Sequence, residues 1–571
     1  MGNSSILRIG DELIRYGATS LEDPVGFVRC ERGYLGTTAS AHRQGEQIAH
    51  VKRSYNYFLH DMDTDMTAEV AARLAGIANE VGAGMLYFDG SEALQGPHWH
   101  YNAKLHQVFY EALGRDDILF QASSCSHYSY HILARQASAD GFADWKAYLD
   151  ERLPSFIWME NNLLPLDLGW YGIYRPDITP DQVEYVCQKA LGYDCSVSIQ
   201  INPQTIRNHP RIEDIIRIIR RYEDIRLSGG VPDELRAELR KPGVEFLLDQ
   251  DGGESRLRRA VWSHELAIDP EGPAEVPLQV DPALGTASLG LEFRACRQIA
   301  PGPEYHDADV WMLEDFEDLT PYGATGGELT RQQIKDNEAG NTSEGVTQSF
   351  EAIEEGARVG TRCGSYTATS SRTDDGGWSA VGRKFDAPLD LREHTALGLW
   401  LHGDESGARF KVQLRDARGM AQDYYIPVNF SGWRYIVLQR PEKPTPHPIE
   451  YHDISYLSLY YNGIPAGKTC TVLVDGIKAL RRVAEVTTAL PRLAVDGEKL
   501  SLDARLGTDD VLVYRGGDRA TIRRSGKPSE EVAVTGTVGP LPTGEAALRL
   551  ERDPQDPQSL ELMLKTVVVY E

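Results

Sequence analysis

The spacing of apolar and polar positions changes character several times along the chain. Ile6-Leu7-Arg8-Ile9-Gly10-Asp11-Glu12-Leu13-Ile14-Arg15-Tyr16 alternates like a hairpin with a Gly-Asp turn, so residues 1–54 read as a small β unit. From 55 to 250 the period lengthens. Met66, Val70, Leu74, Ile77 and Val81 recur at helical spacing, and the apolar run Gly84–Phe88 then ends abruptly in Asp89-Gly90-Ser91-Glu92. A helix over 102–113 leads to a strand over 117–123. A helix carrying Phe142, Trp145 and Leu149 leads to a strand over 156–160, and one carrying Val183, Val186, Ala190 and Leu191 leads to a strand over 195–201. Ile212, Ile215, Ile219 and Tyr222 mark a further helix, and Val244–Leu248 a last strand. Repeating helix–strand units imply a parallel sheet with helices outside it. The predicted fold class is multidomain α/β plus all-β, a (β/α)8-type barrel followed by β-sandwich or jelly-roll domains.

Five strands are visible where such a barrel needs eight. If 84–89 is the fourth strand, the first three are missing, and the expectation is the C-terminal part of a longer protein with the 1–54 unit inserted between early strands. A partial barrel completed by another chain, or an open sheet, are the alternatives. Beyond the barrel, residues 251–308 read as a β linker segment. Residues 309–485 carry short strands at 380–385, 396–402, 408–415, 422–428, 433–438, 456–461 and 470–476 between Gly- and Pro-rich turns, which is sandwich patterning. A last β domain covers 486–571.

Composition narrows the partners. With 59 basic and 85 acidic residues the formal charge is −26, which argues against a nucleic-acid surface. No apolar run long enough to span a membrane is present, and the first residues show no signal peptide. The seven cysteines are scattered without a CxxC pair, so neither a zinc knuckle nor a disulfide framework is indicated.

Polar and aromatic residues gather at the predicted strand ends, where parallel sheets present ligand-binding groups. Glycosidic cleavage uses two carboxyl groups flanking the bond, and Asp89, Glu160 and Glu92 are the candidates. Trp99, Tyr101, His127, Tyr128, Asn161, Asp167, Trp170, Gln200 and Asn202 supply rings and hydrogen-bonding groups for a glycan cleft. His98-Trp99-His100 lacks a HExxH context, no Walker loop ends in GK[ST], and no GxSxG elbow occurs. A lyase using His127 or Tyr128 as the base remains open, as does a glycan-binding protein without catalysis.

Three resemblances accompany these readings. Arg32-Gly33, Gly36-Thr37, Ala39, Ala41-His42 and Gly45 resemble a small β motif of phage tail and bacterial polysaccharide-active proteins, with His42 structural. A fourth-strand aspartate with a sixth-strand acid resembles the retaining α-galactosidase-like clan of glycoside hydrolases. That implies Asp89 as nucleophile and Glu160 as general acid/base, although the clan's Lys-x-Asp context is absent. Glu314-Asp315-Phe316-Glu317 and Val474-Asp475-Gly476 resemble carbohydrate-binding-module jelly rolls of the galactose-binding-like type. This implies a structural calcium held by Glu314 or Glu317 and Asp475, against the plainer reading of solvated acids; no cofactor is expected for catalysis. The combined expectation is a glycoside hydrolase acting on a polysaccharide or oligosaccharide, extracellular or periplasmic.

Overall fold

The hairpin read at residues 6–16 forms, and its second strand carries the key to the motif that follows it. The computed structural model describes residues 3–571 apart from 55–56, 91–97, 124–125, 127, 137–138, 142–143, 175–177, 252–253, 269–273, 323–339, 442–447, 496, 554 and 557. The chain divides into two compact units, Met1–Leu257 and Arg258–Glu571.

In the first unit, β1 (Asn3–Ile9), β2 (Glu12–Arg15), β3 (Ile48–Ser54) and β4 (Tyr57–Phe58) make a sheet in the order β2-β1-β3-β4. Glu12 is buried on β2. Its carboxylate accepts from Arg32 Nε at 2.6 Å and Nη2 at 2.7 Å, and from the amides of Gly33 at 3.0 Å and Ser40 at 3.1 Å. His42 Nε2 lies 2.7 Å from the same carboxylate, and its Nδ1 is 3.0 Å from Glu46. The spacing Arg32-Gly33…Ser40…His42 is therefore the spacing that wraps one buried acid. Gly33 has φ +62°, and a Cβ there would stand 2.7 Å from the Thr37 carbonyl oxygen, so only glycine fits.

The α/β part follows: α1 (Met66–Glu80), β5 (Met85–Phe88), α2 (His98–Leu113), β6 (Leu119–Ala122), β7 (Arg135–Gln136), β8 (Asp140–Gly141), α3 (Trp145–Asn161), β9 (Asp167–Ile173), α4 (Pro180–Tyr193), β10 (Ser196–Ile201), α5 (Pro203–Asn208), α6 (Ile212–Ser228), α7 (Asp233–Leu239) and β11 (Glu245–Asp251). Strands β5-β6-β7 and β8-β9-β10 are parallel, and a parallel bridge between Gln136 and Leu166 joins the two sets. β11 runs beside α4, whose Gln188 and Glu184 accept from the amides of Phe246 and Leu248. Among the described residues this is a partial parallel sheet with helices, and no complete (β/α)8 barrel is present.

Two expectations need correction. Residues 156–160 are helical, within α3. Leu149, Leu153, Phe156 and Met159 are buried at intervals of three and four, whereas Ile157 and Trp158 face out, so the apolar run is one helix face plus its flank. The strand is instead Asp167–Ile173, which carries Gly169 and Gly172. Gly169 has φ +103°, and a Cβ there would meet the Ala139 carbonyl oxygen at 2.3 Å, so β8 approaches β9 across a glycine. In α1 the helix forms but the face differs. Thr67, Ala71, Ala75 and Ala78 are buried while Met66, Val70, Leu74 and Ile77 are exposed.

The second unit is a β-sandwich set within a larger sheet. Its strands are β12 (Glu254–Trp262), β13 (Ala274–Val280), β14 (Ala287–Gln298), β15 (Trp311–Glu314), β16 (Gly340–Thr342), β17 (Val346–Ile353), β18 (Cys363–Ser370), β19 (Gly377–Leu389), β20 (Ala396–Asp404), β21 (Arg409–Asp416), β22 (Ala421–Pro427), β23 (Ser431–Gln439), β24 (Ile454–Ile464), β25 (Thr469–Leu480), β26 (Arg492–Val495), β27 (Glu498–Leu502), β28 (Val511–Tyr514), β29 (Arg519–Arg524), β30 (Lys527–Gly536), β31 (Gly544–Glu551) and β32 (Leu560–Tyr570). The sandwich pairs a sheet ordered β17-β18-β25-β20-β23 with one ordered β16-β19-β24-β21-β22, and β15 lies against β25. Leu399, Leu401, Phe410, Val412, Leu457, Leu459, Tyr461, Val472 and Val474 fill the space between them. Every strand expected between 380 and 476 is present.

Residues 251–308 do not form a separate linker. β14 pairs with β32 from Ala287↔Tyr570 to Gln298↔Leu560, and with β28 on its other side. Leu291, Phe293, Leu512, Leu548, Leu562 and Leu564 share one core. The segments before and after the sandwich thus build one sheet, and the sandwich is inserted into it.

Candidate functional site: a polar and aromatic sheet face

The acids expected to cleave a glycosidic bond are not brought together. Asp89 is exposed in the turn at the carboxyl end of β5. Glu160 sits at the C-terminal end of α3, which leads into the amino end of β9, and it ion-pairs with Arg240 at 3.0 Å. In a parallel sheet those two positions lie at opposite strand ends, so Asp89 and Glu160 cannot flank one bond. Glu92 and His127 lie outside the described residues.

Most of the other predicted contacts serve the scaffold. Asp167 is fully buried, held by Arg135 Nε at 2.8 Å, Ser196 Oγ at 2.7 Å and the Gly169 amide at 2.8 Å. Tyr101 donates to Asp63, which also pairs with Lys104. Asn202 caps α5 by accepting from the Thr205 amide at 2.8 Å, and Gln200 accepts from Tyr174. Asn161 ends α3, Trp99 lies on α2 edge-on to Trp158, and Tyr128 is exposed. Trp170 does reach an aromatic partner, Tyr87, with ring centroids 5.1 Å apart.

The densest chemistry lies on the outward face of the β16-β19-β24-β21-β22 sheet. Alternation along β21 sends Phe410, Val412 and Leu414 into the core and Arg409, Lys411, Gln413 and Arg415 outward. Register then aligns them across strands. Ala380, Tyr460, Lys411 and Tyr425 form one row, and Gly382, Ser458, Gln413 and Asp423 the next. Lys411 Nζ is 3.3 Å from Asp423 and 3.8 Å from the centroid of the Tyr460 ring. Gln413 donates to Asp423 and accepts from Arg415 Nε. Arg415 Nη2 donates to Tyr460 Oη at 2.8 Å, and Tyr425 Oη donates to Asp423 at 3.0 Å. Burial lowers the Lys411 ammonium below its ordinary value, with Asp423 pulling the other way. Tyr456 Oη and Asn462 Oδ1, on the same face, are buried without a hydrogen-bond partner. A side chain at Gly382 would crowd Ser458 Oγ at 2.9 Å, so this stretch of the face stays low.

Such a surface offers rings for stacking and rotationally fixed donors and acceptors on a preformed sheet. Sequence reading missed it because the six residues come from three strands whose register no local pattern reveals. The usable signal was the outward Arg-x-Lys-x-Gln-x-Arg of β21.

The acids expected to hold calcium each have partners within the protein. Glu314 is buried and saturated by Arg383 Nη1, Tyr322 Oη and the Phe316 amide, each at 2.9 Å, and does not fit a metal ligand. Glu317 accepts from the amide and hydroxyl of Thr361 and from the Arg362 amide, which hold its carboxyl below the usual range. Asp475 Oδ2 accepts from the amides of Arg358 at 2.6 Å and Val359 at 2.8 Å, but its Oδ1 is buried without a partner. Burial raises the Asp475 carboxyl. Among the described residues no group of three or more His, Cys, Asp and Glu is gathered for a metal, and no helix is long and apolar enough to cross a membrane.

No protein-family model and no curated protein matches the chain. Solved structures do. A family 11 carbohydrate-binding module of a cellulosomal cellulase of Clostridium thermocellum is 16% identical over 32% of this chain and 95% of its own, with a TM-score of 0.22. The CBM27-1 module of Caldicellulosiruptor saccharolyticus, in complex with mannohexaose, is 12% identical over 31% of this chain and 100% of its own, with a TM-score of 0.22. An exo-beta-agarase is 14% identical over 29% of this chain and 25% of its own, with a TM-score of 0.21.

Proposed function

We propose that this chain is a carbohydrate-active protein whose sandwich binds a polysaccharide on the face built from Lys411, Gln413, Arg415, Asp423, Tyr425 and Tyr460. The observation that carries the reading is that network: fixed polar groups alternating with rings across adjacent strands suit the hydroxyl-rich edges and apolar faces of pyranose rings. Affinity electrophoresis through gels containing mixed-linkage β-glucan, mannan, agarose or galactan tests it. Retardation by one polymer, lost in Tyr460→Ala, is the expected result; migration unchanged in every gel sinks the reading. A polysaccharide partner goes with an extracellular or periplasmic location.

Hydrolysis is the second reading, favoured by the exposed Asp89 at a strand's carboxyl end near the Tyr87–Trp170 ring pair. New reducing ends from the retained polymer, absent with Asp89→Asn, support it; no product from either protein leaves binding alone. A structural calcium, if held, falls to Asp475 and Glu317, where it would neutralise two carboxylates. That donor set is small beside the roughly six to eight oxygens calcium takes. Millimolar calcium against EDTA should then shift the sandwich's melting temperature, and Asp475→Asn should abolish the shift.

A further inference from the structure

Beyond the edge of the sandwich face, within the second unit, lies a cleft of about 840 Å³. That is towards the large end of ligand clefts, which run to ~300–1,000 Å³. Its near wall is made by the edge strands of both sandwich sheets, with Tyr425 from β22 and Gln439 from β23; its far wall belongs to the enclosing sheet and carries Thr508, Asp510, Arg524 and Lys527. The two walls are fixed to each other. Glu561 on β32 accepts from Arg434 Nη1 on β23 at 2.8 Å and from Arg297 Nε on β14 at 2.9 Å, and Arg297 Nη1 donates to Asn429 at 3.1 Å. The opening is therefore present before any ligand arrives.

Tyr425 belongs to both surfaces. It ends the row Ala380–Tyr460–Lys411–Tyr425 and it lines the cleft. On the far wall Arg524 Nε donates to Asp510 at 3.1 Å and its Nη1 to Glu530, so a planar guanidinium stands fixed between two carboxylates and sets donors and acceptors side by side for neighbouring hydroxyls. Lys527 has no ion-pair partner among the described residues. β23 is the outermost strand of its sheet, so its free edge adds backbone donors and acceptors. The lining mixes these polar groups with apolar Ile426, Val437, Leu438 and Val486, and the face leading to the cleft is a strip across strands rather than a pit.

We propose that the cleft is an extension subsite for the same glycan, so that the protein recognises an internal stretch of a long polymer, running from the sandwich face over Tyr425 onto the Arg524–Lys527 wall. This rests on the glycan-binding reading above. The test is isothermal titration with size-fractionated oligosaccharides, from short to long, prepared from mixed-linkage β-glucan, mannan and agarose. Wild type, Arg524→Ala/Lys527→Ala and Tyr460→Ala are compared. Wild type should bind the longest oligomers about tenfold more tightly than the shortest, as two further charge-assisted hydrogen bonds allow. The double variant should bind short oligomers as wild type does and lose the gain with length; Tyr460→Ala should weaken all lengths. Should the double variant melt early, Lys527→Glu, which breaks no ion pair, and Gln439→Ala replace it. A gain with length that survives these changes, or affinity independent of length in wild type, overturns the extension subsite while leaving the sandwich face intact. No binding of any oligomer by wild type overturns the glycan reading and this proposal with it.

Discussion

The two units use buried and strand-borne charge in opposite ways. In the first, polar residues near the parallel strands are spent on architecture: Asp167 is locked by Arg135 and Ser196, Glu160 by Arg240, and Asn202 by a helix end. In the sandwich, side chains of the same types stand side by side on the outward sheet face, bonded to one another, with Lys411 and Gln413 buried in the network and Tyr425 exposed at its end. The difference teaches that polar groups at strand ends are a weak guide to a site. What matters is whether the fold has already consumed their hydrogen-bonding capacity.

The strongest way to break this contrast is to remove a buried acid from each unit. Asp167→Ala and Glu314→Ala each strand a guanidinium, and each should cost about 3–5 kcal/mol in chemical unfolding, read as loss of one unit's transition. If Asp167→Ala unfolds normally yet abolishes polysaccharide turnover, the division of roles is mistaken. Next in size, Tyr460→Ala should weaken polysaccharide retention about tenfold by removing a ring and the Arg415 acceptor, with the far-ultraviolet spectrum unchanged.

The pH response sharpens the comparison, because a buried acid of the first unit, Glu12, and one of the second, Asp475, are shifted in opposite senses. Arg32 and three further partners hold the Glu12 carboxyl far below its ordinary value of 4.5. Its contribution to stability is complete above that value and drains away as pH falls from there toward the folded-state value. Asp475 is raised by burial from an ordinary 3.8, so its sign reverses: the folded state favours the proton, and stability declines as pH climbs through the window above 3.8. In unfolding measured against wild type, Glu12→Gln should cost most above pH 4.5 and least in acid, whereas Asp475→Asn should cost least at neutral pH and most in acid; the same trend for both variants would refute the assignment. The smallest effect belongs to Glu160→Gln. Glu160 and Arg240 are both about a third exposed, so the change should stay within ~0.5 kcal/mol and leave any polysaccharide activity untouched.

What was legible in the sequence follows the range over which each signal acts. The strands from 380 to 476 were readable because period-two alternation is local and the turns carry glycine or proline. α1 was readable as a helix, yet its buried face was not, since Ala71, Ala75 and Ala78 pack closely while the larger Met66, Val70 and Leu74 remain outside. Phe156–Met159 misled because a short apolar run fits either a buried strand or a helix face. The sandwich face and the Glu314–Arg383 pair depend on registers between strands far apart in sequence, and no single-strand pattern encodes those.

The pairing of β14 with β28 and β32 has a consequence for how the chain is made. Both neighbours of β14 are synthesised only after the whole sandwich, whereas the sandwich draws on strands contained within residues 311–480. During synthesis β14 must therefore wait, an apolar strand with both edges open, while an independent hydrophobic core closes behind it. The order of events is built into the connectivity. The inserted domain is finished first, the surrounding sheet is sealed last, and the interval between them is when this protein is most exposed to misassembly.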